Sequence, residues 1–505
     1  MSRLLYTESQ WNFETLDKIY SACEEIAINE LGLNVYPNQI EVINSEQMVD
    51  AYSSVGLPVM YPHWSFGKSF SQTWNNYQKG YQGLALEIVI NSSPCIAYLM
   101  EQNSSTMQAL VIAHAAFGHN HFFKNNYLFR HWTDASSIVD YLIFARNYIE
   151  KIERQEGKYV VETFLDSCHA LQDYGVNRYK KPSKPNVHEE KRRQEKLDEY
   201  KQSKVDEFYR FYKNEDVTTN KDDDVIDLEE PEENILYFCE KNSPTLKPWQ
   251  RECIRITRKI AEYFYPNGQT KIMNEGCATV VHHKIMTRLH DLGKISDGNY
   301  LEFLSSHSSV VFQPDFDDKR YSNLNPYKLG QEIFREIERV CLTPTDEDLY
   351  WNKDFCNQDP KEMFLEVVKN YRDESFIRQF LTPNLIRKMK LFHLKDHNPR
   401  EYVVTNIHNE NGYIDIRETL ASNSERETYV PTLEIVKHDK RDRKIYIKYT
   451  EYKGRKLANL DDMADHLKTI WGGEFSLCDN NNVNLMSSVQ EQYNNEDDYY
   501  DFTGM

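Results

Sequence analysis

Nothing in this chain marks it for a membrane or an oxidising compartment. No apolar run approaches the roughly 20 residues that a spanning helix needs, and the mean hydropathy is −0.72. The start, Met1-Ser-Arg-Leu-Leu-Tyr-Thr-Glu8, lacks the apolar core of a secretion signal. Nine cysteines are spread so widely that no two lie closer than fourteen residues. That excludes a Cys-x-x-Cys zinc knuckle or thioredoxin-type pair. Such scattered thiols read as reduced and mostly buried, in a cytoplasmic protein. Also missing are a P-loop, a GxGxxG or GxSxG turn, a kinase signature and any repeat of 20–50 residues. The basic residues do not gather with aromatics into a nucleic-acid surface.

What is present is core material and charge. The 505 residues include 34 Tyr and 24 Phe, enough for a sizeable core, and the length suggests about two to four domains. The net charge is −19. It is uneven: 215–233 carries −9 and 479–505 carries −6, so these 46 residues leave about −4 for the other 459. Both runs are poor in apolar residues and read as a solvated linker and a tail. The first closes a charged insertion, 182–233, with a polar helix expected over 188–213.

The periodicities predict an α+β protein. A large, mainly α-helical body with short strands occupies 1–395. Helices are expected over 105–117, 136–152, 249–264, 270–290 and 326–341, and from Phe13 to Leu31, ended by Gly32. Strands are expected at 39–43 and 84–90. Residues 396–478 alternate β-α-β-β-α-β, the order of a small ferredoxin-like sandwich. An acidic tail, 479–505, follows.

Two helices carry candidate chemistry. In Met107–His121 every residue from Ala109 to Phe117 except His114 is apolar, so this helix is buried. His119 and His121 follow Gly118, which is expected to break the helix. In Met273–Ile285, Glu275, Ala278 and His282 share one face. His114, His119, His121 and His282 with Glu275 have the composition of a transition-metal site, for zinc or another divalent ion, with Glu275 as the catalytic base or a ligand. The spacing departs from the zinc-peptidase HExxH motif, since His114 and His119 are five apart and Ala115 stands where the base would be. Glu275 and His282 lie about 10 Å apart along an ideal helix, so they do not bind one ion directly. The alternative is a buried polar network, such as His114–Glu275, that fixes helix packing. His63, Glu87, His169 and His307 each read singly as satisfied core or surface groups.

The segments Tyr36–Val42, Tyr61–Lys68, Ile112–Asn126, Asp166–Leu171, Tyr263–Pro266, Met273–Gly276 and Asp373–Phe376 resemble the stage V sporulation protein R (SpoVR) family, and the likeness runs from about residue 10 to about 475. The resemblance implies a link to spore cortex formation. In bacteria that do not sporulate, it implies a stress pathway with a serine kinase, and so protein partners. Where the family has Trp, Phe, Trp and Tyr after Met-Asn-Glu-Gly, this chain has Cys277, Val280, Val281 and His283, and Pro62 replaces a His. Two functional readings stand: a metal-dependent hydrolase, or a non-enzymatic scaffold or regulatory factor that binds other proteins.

Overall fold

The computed structural model describes residues 4–177, 196, 231–425, 430–451, 460–478 and 484–487, less 55, 58, 80–86, 322, 399–400 and 407–408. It is mostly helical, with short strands in three sheets. The elements that bear on the site are α1 (Phe13–Glu25), β1 (Asn38–Ile43), α2 (Trp64–Gln78), β2 (Glu87–Ile90), β3 (Cys95–Met100), α3 (Ser105–Ile112), α4 (Asn120–Asn125), α5 (Ile138–Glu156), α6 (Lys158–Ala170), α7 (Pro248–Gln269), α8 (Lys271–Asp291), α9 (Asp297–Val310), α10 (Pro326–Leu342) and α11 (Asp373–Phe380). The C-terminal part supplies β4 (His393–Asn398), β5 (Glu401–Asn406), α12 (Glu410–Asn423), β6 (Thr432–Asp439), β7 (Lys444–Thr450), α13 (Leu460–Trp471), β8 (Glu474–Cys478) and β9 (Asn484–Ser487). Among the described residues no helix is long and apolar enough to cross a membrane.

The expected helices form, with local reasons for their ends. Asn12 accepts from Thr15 N to start α1, and Ser104 accepts from Met107 N to start α3. Gly32, at φ +69°, turns the chain out of the first helical run. The N-terminus of α8 is capped from a distance: Asp373 accepts from Ile272 N and Met273 N, both at 2.8 Å. That accounts for the acidic residue of the Asp373–Phe376 motif.

Two apolar cores result. One joins α1, α3, α8, α10 and α11 around residues such as Ile19, Phe117, Ile285, Ile333 and Phe376. The other joins α5, α6 and α7 to the β6–β9 sheet around Ile149, Cys168, Ile256, Ile447 and Trp471. Helix α12 contributes Tyr413 and Ile416 to the first core, while the sheet after it contributes to the second.

The C-terminal strands form where expected but pair differently from a ferredoxin-like sandwich. Strand β5 pairs antiparallel with β4, in a two-stranded sheet of its own. The four-stranded sheet runs β6-β7-β8-β9, with only β7 and β8 parallel. A βαββαβ sandwich needs its first strand inside that sheet, and here an extra hairpin partner upstream claims it. The polar helix expected at 188–213 and most of the insertion and the tail lie outside the described residues. At the insertion's end, Glu232 exchanges both backbone hydrogen bonds with Ile435 of β6.

Helix α8 lies against two other backbones. A Cβ on Gly118 would stand 2.6 Å from Ala278 Cα, one on Gly276 would run into the Gly330 backbone, and one on Gly330 into Ile272 O. Gly118→Ala and Gly276→Ala are therefore expected to destabilise the protein by about 1–3 kcal/mol or more, through overpacking that backbone cannot relieve. Gly268→Ala in α7, with nothing within 4 Å of its added Cβ, should be neutral or stabilising by up to about 1 kcal/mol. Denaturant melts of the three variants check this ordering.

Candidate metal centre

The His-rich segment does not break at Gly118. From Ala113 to His119 it runs on as a π-helix and passes directly into α4. In a π turn the hydrogen bonds join residues five apart, so side chains at i and i+5 stand over one another. His114 and His119 are so related, and their ring centroids are 4.6 Å apart, edge to face. The spacing that disqualifies an α-helical HExxH motif is thus the spacing that brings these imidazoles together.

Two carboxylates meet them. Glu275, on α8, approaches because Gly118 and Ala278 let the helices close. Its Oε2 lies 3.7 Å from His114 Nε2 and 3.5 Å from His119 Nε2. Glu87, at the start of β2, places Oε1 3.7 Å from His114 Nε2. These separations are too long for hydrogen bonds. They match the edge of a tetrahedron, about 3.4 Å for ligands about 2.1 Å from an ion. Ligand atoms of Glu87, His114 and His119 all lie within 4.8 Å of one another. Glu275 Oε2 is buried without a hydrogen-bond partner among the described residues.

The outer nitrogens of both imidazoles are held. His119 Nδ1 donates to Asn274 Oδ1 at 2.9 Å, which leaves Nε2 as the bare nitrogen facing the carboxylates. His114 Nδ1 meets His282 Nδ1 at 2.8 Å, His282 Nε2 meets His307 Nδ1 at 2.8 Å, and His307 Nε2 meets the Gln331 amide at 3.1 Å. This file of three imidazoles ending on an amide has two self-consistent polarities. With the amide NH2 toward His307, every proton points toward the carboxylates and His114 Nε2 carries a hydrogen. With the amide oxygen there, the file reverses, and His114 Nε2 becomes a free ligand.

Burial and neighbours set the charges. Burial pulls His119 and His307 down to about 4 and His282 well below its ordinary value, so these rings are neutral. Burial also opposes a charge on His114, but the facing Glu275 and Glu87 outweigh it and raise that pKa. Burial raises Glu87. It pushes Glu275 up too, yet His114, His119 and Tyr327 outweigh it and hold this carboxyl below the usual range.

Of the residues singled out in the sequence, His114, His119 and Glu275 converge. His282 stands behind His114 with both ring nitrogens engaged. His121 points elsewhere: its Nδ1 lies among Asn34 N, Asn34 O and Asn125 Nδ2 at 3.1–3.2 Å, and its ring stacks on Phe364. Two residues past the end of the π turn, it has rotated off the shared face. Glu87 joins the cluster, although its sequence context marked it only as a carboxylate in an apolar strand. Asn274, His307, Tyr327 and Gln331 were not singled out for it. Only Asn274 has a local signal, being next to Glu275.

A family model described as "SpoVR like protein" matches residues 10–429. The chain is 48% identical over 475 residues to the uncharacterized protein YcgB of Escherichia coli (strain K12), covering 92% of each. No solved structure matches. The whole cluster, from Glu87 to Gln331, lies inside the matched span, and the chain belongs to the SpoVR family.

Proposed function

We propose that this chain binds one divalent transition-metal ion through Glu87, His114 and His119 and uses it for hydrolysis, with Glu275 as proton acceptor. The observation that carries this reading is the gathering of three ligand atoms within 4.8 Å beside a buried carboxylate oxygen with no hydrogen-bond partner among the described residues. Two imidazoles and one carboxylate leave coordination positions open, as catalytic zinc sites require. A bound ion acidifies a water molecule, and a carboxylate next to it can take the proton. Glu87 and Glu275, with side chains 20% and 18% exposed, form the side of the cluster that reaches solvent. The scattered thiols favour a place in the cytoplasm, and the family likeness implies partners in a serine-kinase stress pathway.

A second reading, a scaffold with a structural polar network, draws on the two fully engaged nitrogens of His282. The described cavities lined by Tyr61 and by Phe316 include no residue of the cluster. On that reading His114→Ala lowers stability sharply and metal plays no part.

Elemental analysis of purified full-length protein should find about one zinc or other transition-metal ion per chain. The ion should be lost in Glu87→Gln and His119→Ala and retained in Glu275→Gln. A metal-free protein whose melting temperature ignores both chelator and added zinc would overturn the proposal. Gln331→Met, which touches no ligand but removes the amide that ends the imidazole file, should weaken metal binding about 10–100-fold. Competition with a chromophoric chelator measures it.

A further inference from the structure

A second constellation lies away from the metal cluster, where α2, α6 and α7 surround a cavity of about 490 Å³. That is the size range of small-molecule sites. Its walls are aromatic, with Tyr61, Phe66 and Phe264 among them. Among the described residues no lysine or arginine lines it, and the carboxylate of Asp173 stands at an exposed position on its rim. Among the described lining residues none offers an anionic ligand a counter-charge.

Among the polar residues that line the cavity are a Tyr61–His169 pair and Gln269. The Tyr61 hydroxyl is 2.5 Å from His169 Nε2, and Tyr61 is 1% exposed. Burial holds the phenol proton in place by raising its pKa far above the ordinary value. The hydroxyl therefore donates to Nε2, and His169 keeps its own hydrogen on Nδ1, which has no partner among the described residues. His63 packs edge-on against His169 at 4.6 Å. It is fixed in turn by Ser65 Oγ at 2.7 Å and faces Asp166 at 3.4 Å. Burial and His63 lower His169 to about 3, so it is a neutral donor. The second group is Gln269, at the end of α7. It is only 6% exposed, lines the cavity, and its amide makes no hydrogen bond among the described residues. A ligand with a complementary donor–acceptor edge would pair with it.

We propose that this cavity binds a neutral, planar heteroaromatic molecule with an amide-type edge, of the size of a free nucleobase. The aromatic walls stack on its faces. The Gln269 amide pairs with its donor–acceptor edge, and His169 Nδ1–H donates to a second acceptor. A phosphorylated form is disfavoured by Asp173 and by the absence of a lysine or arginine among the described lining residues.

Ligand-observed NMR on the full-length protein tests this with adenine, hypoxanthine, uracil and nicotinamide, with AMP as the anionic comparator. At least one of the four neutral compounds should bind, more tightly than AMP. Its affinity should fall at least tenfold in His169→Phe and in Gln269→Glu, a variant that keeps the side-chain size. Melting curves confirm that both variants are folded. If none of the four binds, if AMP binds best, or if both folded variants bind like wild type, the proposal is overturned. Metal content should be unchanged in both variants, which separates this site from the metal proposal.

Discussion

The approach of α8 to two other backbones at once governs the rest of the first core. Ordinary helix pairs are kept about 8–10 Å apart by their side chains. Here Gly118 meets Ala278, and Gly276 meets Gly330, with no room for a Cβ. Only that closeness lets a short carboxylate on α8 reach imidazoles on the neighbouring segment. It also carries α10 near enough for Gln331 to end the imidazole file. Asp373, reaching from α11 to cap α8, sets where that helix begins and so the height of Glu275. Packing and chemistry are the same fact in this part of the molecule.

The substitutions after Met-Asn-Glu-Gly fit this frame. Cys277, Val280 and Val281 are all buried, and each is smaller than the aromatic residue it replaces in the family pattern. His283 stands beside the file, with its ring 4.9 Å from that of His307.

Much of the architecture was legible in the chain because it is written locally. Amphipathic spacing marks α5, α7 and α10, and the all-apolar stretch before His114 announces a buried helix. The polar partners of the cluster were hidden because each is supplied across a long separation. Glu87 and Glu275 are 188 residues apart, and nothing in the sequence around His307 or Gln331 distinguishes a buried partner from an ordinary helical residue. The C-terminal topology was misjudged for a related reason. Strand order along the chain does not state which strands pair, and β4, unremarkable in sequence, captured β5.

The π turn has a consequence of its own. It holds one more residue per hydrogen-bonded loop than the α-helix on either side. The alignment of His114 with His119 is therefore set by a residue count rather than by the identity of any side chain between them. Shortening Ala115–Phe117 by a single alanine would leave a helix of nearly the same composition and apolarity. It would also swing His119, and all of α4 behind it, by about 100° around the axis. In this protein the reading frame of a helix is itself a functional element, one that point substitutions leave untouched and a one-residue deletion erases.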